Sequence, residues 1–216
     1  TFIATATTHH FALAVGGGTG QVTRFDNARL TETSRIIFPA ISGVSPEIKQ
    51  GNSVNELAIS TGSINRINID AAGIVTKPYQ PAFLAQAATQ FNIPVPAAYT
   101  VLLQTERFDN NNDFSSNTFT APVTGKYQLN YHLYLVQMPT NASYFETYLA
   151  TSNRTYAGAI TPSSYGGGGI SYISISISVL ADMDAGDTAI VRMGQGGGTA
   201  STDINTNTYF SGYLVA

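Results

Sequence analysis

The chain has 216 residues, of which only 11% are charged, less than half the usual share of about 25%. A net charge of −3 supplies no broad basic field, which argues against nucleic acid or an anionic bilayer as a partner. With no cysteine, disulfide stapling and thiolate metal sites are excluded, and the longest apolar runs, such as residues 11–15, fall far short of the roughly 20 residues of a membrane span.

Thr1 is not preceded by an initiator Met, so more protein is expected upstream. Residues 1–80 hold six Lys/Arg and five Asp/Glu, against four and eight in residues 81–216. Near the start, the run Gly16-Gly17-Gly18-Thr19-Gly20 lacks the Lys-Ser/Thr ending and the following helix of a phosphate loop. His9-His10 and His132 come without a third ligand at metal spacing. Short apolar pieces at residues 35–38, 56–59 and 64–69 are broken by Gly, Ser and Asn. Strands need about three partners before they are independently stable, so this part is expected to associate with other chains. Within residues 63–70, Ile67 and Ile69 share one face of a strand, and Ala71-Ala72-Gly73 reads as a turn.

From residue 81 the pattern has period two. Tyr127, Leu129, Tyr131, Leu133 and Leu135 alternate with Gln128, Asn130 and His132, the mark of a half-buried strand. Ile173, Ile175, Ile177 and Val179 alternate with Ser174, Ser176 and Ser178, which predicts a strand lining the core. Further strands are expected at residues 100–108, 117–121, 143–150, 188–193 and 209–215, between Gly/Pro/Asn/Asp turns. No stretch has a helical period. The expected fold class is all-β, a jelly-roll β-sandwich over residues 81–216.

Phe119-Thr120-Ala121-Pro122-Val123-Thr124-Gly125-Lys126-Tyr127 and the alternation that follows resemble the signature of the complement-1q globular-head family, whose fold is shared with tumour necrosis factor. Tyr209-Phe210-Ser211-Gly212-Tyr213-Leu214 looks like that family's closing strand, and Ala185-Gly186-Asp187 like the turn before its penultimate one. The family expects an aromatic seven residues before Phe119, where this chain has Asn112, with Phe114 nearby. Residues 65–83, from Asn65-Arg66-Ile67-Asn68-Ile69-Asp70 through Lys77-Pro78-Tyr79-Gln80-Pro81-Ala82-Phe83, are similar to the shaft-to-head junction of phage tail and head fibres. No Gly-X-Y stalk precedes the head.

These resemblances imply a viral, phage-type fibre protein on the virion surface. Residues 1–80 would be a β-rich trimeric shaft segment that meets other virion proteins on its N-terminal side. Residues 81–216 would be a trimeric head that binds a host cell-surface glycan or protein. Bulky residues on both faces of one strand, Tyr144, Glu146 and Tyr148 against Phe145, Thr147 and Leu149, suggest that one face meets another subunit. The jelly-roll strand order implied by the resemblance puts loops 109–115, 138–141, 161–169 and 194–208 at the apex, and there Tyr165, Asn141, Gln195 and Asn205 are the expected receptor-binding residues. Other readings stay open. One is a purely structural head fibre or capsid decoration. Another is a carbohydrate-cleaving spike using Asp182, Asp184, Asp187 and Asp203, which must converge at glycosidase spacing. The cluster from Asp109 to Asp113 offers oxygens to Ca²⁺ but lacks the Gly and distal Glu of a binding loop. No cofactor, catalytic residue or resident metal is expected.

Overall fold

In the computed structural model, residues 35–37, 46–95, 98–162 and 171–216 are described. His9-His10, the glycine run 16–20 and Tyr165 lie outside them. The chain divides into two compact units, Thr1–Tyr79 and Gln80–Ala216.

The first unit holds an antiparallel meander of β1 (Arg35–Ile37), β2 (Glu47–Gln50), β3 (Leu57–Thr61), β4 (Ile64–Ile69) and β5 (Val75–Thr76), paired in chain order. Gly62 and Ser63 both have positive φ, 59° and 64°, the geometry of a two-residue hairpin loop that keeps the native strand twist. The next turn is closed by Asp70, whose Oδ1 accepts the N–H groups of Ala72 and Ile74, both at 2.9 Å. The register aligns Ile48 with Ile59 and Ile59 with Ile67, and Leu57 with Ile69 and Ile69 with Val75. These rows share one face, on which Leu57, Ile59 and Val75 are exposed, while Ala58 and Ser60 on the other face are fully buried. The larger apolar side chains therefore face outward, the reverse of the usual half-buried strand.

The second unit is a β-sandwich. Its strands are β6 (Ala82–Gln86), β7 (Tyr99–Thr100), β8 (Thr105–Asp109), β9 (Phe114–Ser115), β10 (Thr118–Thr120), β11 (Gly125–Val136), β12 (Tyr144–Thr151), β13 (Thr155–Ile160), β14 (Tyr172–Met183), β15 (Thr188–Gly196), β16 (Asp203–Ile204) and β17 (Tyr209–Leu214). One antiparallel sheet runs β13-β12-β15-β10-β9 with β7 on β15, and the other β14-β11-β17-β6-β8 with β16 on β11. The expected strand over 100–108 is split into β7 and β8, because Leu102 and Leu103 spend their N–H groups on the side-chain oxygens of Gln90 and Asn117. β13 was not foreseen. Its centre is Ala157-Gly158-Ala159, small residues with little β propensity, and only pairing along β12 holds it extended.

The alternating side chains of β11, from Tyr127 to Leu135, are all buried. Burial pushes the Tyr131 phenol up to about 12, although its hydroxyl still donates to Thr147 Oγ1 at 2.6 Å. At the centre Phe83 stacks on Phe119 and Phe114 at 4.7 and 5.1 Å and meets Phe210 edge-on at 4.9 Å. Phe114 thus occupies the aromatic place that Asn112 leaves empty: Asn112 has φ 59° in the turn, and Phe114 pairs with Phe119 across a tight hairpin. In the Phe119/Gly125/Tyr127 motif, Phe119 packs on Tyr127 at 5.4 Å, and Tyr127 donates to the Val123 carbonyl at 2.7 Å. Gly125 leaves room for the last strand, since a Cβ there would sit 2.7 Å from the Ala216 oxygen and from Leu214 Cδ1. Gly125→Val is expected to lose about 1–3 kcal/mol by overpacking, read as a lower denaturant midpoint at unchanged slope.

β14 pairs with β11 over its full length, with Leu133 opposite Ile175 and His132 opposite Ser176. Ile173, Ile175, Ile177 and Val179 do face inward, but they are only half-buried. β13 and β14 are the edges of the two sheets, so the sandwich is thinnest over these side chains.

Candidate functional site

Both ends of this unit lie together: Ala82 pairs with Tyr213, and Lys126 N–H bonds the Ala216 carbonyl at 2.6 Å. This end is the base. Loops 137–143 and 197–208 join strand ends at the opposite pole, the apex, which the end of β13 and the start of β14 also reach. Loop 109–115 does not belong there. β8 runs back down along β6, and Asn110 bonds the carbonyls of Ala82 and Gln80, which places that loop at the base. Its Asp109 carboxylate accepts the N–H groups of Asn111, Asp113 and Phe114, so it caps a turn. Burial, with Asp109 close by, raises the Asp113 carboxyl above the usual range against the opposing Asn111 hydrogen bond. Among the described residues no three His, Asp or Glu side chains gather as a metal-binding set.

Buried amides clamp the apex. Gln90 exchanges backbone bonds with Ile204 and closes its side chain on Leu102, through Nε2 to the carbonyl at 3.0 Å and Oε1 from the N–H at 2.9 Å. Asp203 Oδ1 accepts the Asn92 N–H at 2.7 Å. Gln195 donates to the carbonyls of Gly197 and Thr199, each at 2.9 Å, and accepts from Thr202 Oγ1 at 2.6 Å. Gln195 is only 2% exposed and its amide is fully occupied. It shapes the apex loop and is not available to touch a receptor, a correction to the sequence-based expectation.

Asn141 is exposed and accepts the Thr199 N–H at 3.2 Å, tying two apex loops together. Asn205 accepts the Asn207 N–H at 3.0 Å and takes the Thr208 N–H on its carbonyl, a turn that presents Thr206 and Asn207 to solvent. Sequence reasoning missed Phe91. It is 69% exposed, between the clamped Gln90 and an Asn92 held at φ 53°. A Phe flanked by polar turn residues in 89–92 carried the signal, but strand periodicity does not register it. The described apex surface is therefore neutral and polar, with the Phe91 ring held out from a rigid frame.

The four aspartates do not converge. Asp182 and Asp203 lie opposite Lys126 and Val136 of β11, and the ten intervening steps at about 3.3 Å each amount to about 33 Å. Asp182 pairs with Arg154 at 3.4 Å, and Asp187 accepts from Asn153 at 2.7 Å.

Two surfaces of the sandwich differ in character. On the outward face of β14-β11-β17-β6, His132 stacks on Tyr209 at 5.1 Å and Tyr134 on Tyr172 at 6.3 Å. Leu180 and Tyr213 are 55% and 49% exposed there, and Gln128 links to Ser178 and Asn130. Between Lys126 and Asp182 at the base and the far edge beside Arg107, this face carries only neutral residues and His132. On the outward face of β12, Tyr144 and Tyr148 lie against Gly196 and Gly194 of β15. Those rings have a local explanation, so their bulk does not by itself require a neighbouring subunit.

A family model described as C1q domain matches residues 82–215. The globular domain of zebrafish complement 1qA protein is 16% identical, covering 63% of this chain and 98% of that one, at TM-score 0.45. Murine APRIL, in structures at pH 8.0 and pH 8.5, is 10% identical in both, covering 63% of this chain and 99% of that one, at TM-scores 0.46 and 0.45. No curated protein matches the chain.

Proposed function

We propose, on the premise that this chain belongs to the C1q domain family, that it is a viral fibre protein whose trimeric head attaches the virion to a host-surface glycan or protein. The observation that carries this reading is the outward face of β14-β11-β17-β6. An extended surface that exposes Tyr172, Leu180, Tyr209 and Tyr213 among neutral side chains, with two aromatic stacks and no charge across its middle, suits contact with another copy. Closing three copies over it leaves the clamped apex free. The outward Ile, Leu and Val rows of β2 to β5 support a shaft segment in residues 1–80 whose apolar face is covered by the other two copies. The similarity of residues 65–83 to fibre junctions supports the viral setting, with the N-terminal side meeting other virion proteins.

Attachment then falls to the apex, with Phe91 joining Asn141, Asn205 and Tyr165, while Gln195 holds the frame. Three weak sites on one trimer act together by avidity. The full chain carrying Phe91→Ala, Tyr165→Ala, Asn141→Ala and Asn205→Ala together is expected to adsorb to host cells at least about tenfold more weakly, as loss of one good aromatic contact alone would give. Its melting temperature should stay near that of the parent. Undiminished adsorption by an intact trimer would move attachment off the apex and favour a purely structural fibre. The distance of Asp203 from the other three aspartates, with Asp182 paired to Arg154 and Asp187 held by Asn153 and the Asp184 N–H, favours binding over sugar cleavage.

A further inference from the structure

We propose a second binding site, on the outward face of β12 and β15, for a linear neutral oligosaccharide. Tyr144, Glu146 and Tyr148 project from β12, and their β15 partners are Gly196, Gly194 and Arg192. A Cβ at Gly196 would fall inside the Tyr144 ring, and one at Gly194 would sit 3.9 Å from Tyr148 Cε2. The missing side chain at Gly196 thus lets the Tyr144 ring lie over the β15 backbone, and Gly194 leaves the space beside Tyr148 open; Tyr144 is 43% exposed. On the other side, β13 offers only Ala157 and Ala159 opposite Tyr148 and Glu146, so among the described residues no wall blocks access to the rings.

Polar groups flank these rings and are only partly used. Tyr148 donates its hydroxyl to Glu146 Oε2, and that bond, followed by burial and the Glu146 charge, pushes the phenol up to about 12. The phenol therefore stays a neutral donor at physiological pH. The Arg192 side chain makes no hydrogen bond or ion pair among the described residues, and its Nε is buried without a partner. An unmet guanidinium donor at that depth is costly unless something accepts from it.

One acceptor carboxylate, one unfilled donor and two open aromatic faces with no net charge match the hydroxyls and C–H faces of a neutral sugar. An anionic ligand would meet Glu146, and a cationic one Arg192. Tyr144 and Tyr148 are four residues apart, about 13 Å along the strand, so a linear chain rather than a single sugar reaches both.

The test is calorimetric titration of the full chain with cellohexaose, maltohexaose and chitohexaose. At least one is expected to bind, and Tyr148→Ala or Arg192→Gln to weaken it at least about tenfold. Glu146→Gln keeps the shape and should weaken it less, while the apex variants Phe91→Ala and Asn141→Ala should leave it unchanged. Melting curves identify any variant that merely unfolds, in which case Arg192→Lys, which keeps charge but loses the Nε geometry, carries the comparison. Binding of none of the three sugars, or binding abolished by the apex variants and not by the β12 and β15 ones, would overturn the proposal.

Discussion

Phe83→Ala is expected to remove about 3–5 kcal/mol of stability, a large share of the 5–15 kcal/mol that holds a typical domain folded. The ring is 1% exposed and touches three others, Phe114, Phe119 and Phe210, so truncation opens a cavity between the two sheets. Collapse around it is limited on two sides. Gly212 lies against Phe83, where an added Cβ would be 2.8 Å from Cε1, and Phe119 is pinned by Tyr127. Val123→Ala, on the exposed base, should change stability by no more than about 0.5 kcal/mol. Denaturant unfolding at fixed protomer concentration compares the two, since an oligomer's midpoint moves with concentration. A Phe83→Ala loss below about 1 kcal/mol would show that the ring is not at the centre of the packing.

The second large effect separates the two faces of β14. Ile175→Asp is expected to abolish soluble folding. Its inward neighbours are Ile173, Ile177 and the β13 edge, with Ile175 Cγ2 3.5 Å from where a Gly158 Cβ would lie. A carboxylate there has no cation to pair with among the described residues and costs several kcal/mol. Ser176→Asp, one residue on, points outward beside His132, whose Nδ1 lies 2.9 Å from Ser176 Oγ, and the fold should tolerate it. Leu180→Asp lies on the same outward face and should keep the fold while breaking assembly. Equilibrium sedimentation at micromolar concentration should give three times the 22.9 kDa protomer mass for the parent and the single mass for Leu180→Asp. A monomeric parent would sink the trimer. Equal melting of Ile175→Asp and Ser176→Asp would show that the register is wrong.

Period-two alternation was enough to read β11, because every inward residue from Tyr127 to Leu135 is large and mostly apolar while the outward Gln128, Asn130 and His132 are polar. The Phe119/Gly125/Tyr127 spacing likewise carried the family resemblance, whereas the aromatic packing around Phe83 and the close approach of the last strand to Gly125 came from the structure. β13 escaped because Ala and Gly carry no such contrast. The apex suffered in the same way: Gln195 and Asn141 are both neutral amides near strand ends, and nothing local distinguishes an amide turned inward from one turned to solvent.

What the chain determined by itself is the all-β class, the faces of its long strands and the family signature, all of which follow from side-chain size and polarity at intervals of two residues. Which amides are consumed in the apex frame, that loop 109–115 turns at the base, that Phe91 is held outward and that Tyr144 lies over Gly196 with Tyr148 beside Gly194 were decided only by the tertiary structure. Each depends on partners far apart in the chain, Asp203 for Asn92, Gln80 for Asn110, β15 for β12, and hydrogen bonds or packing between such residues exist only once the sheets have closed.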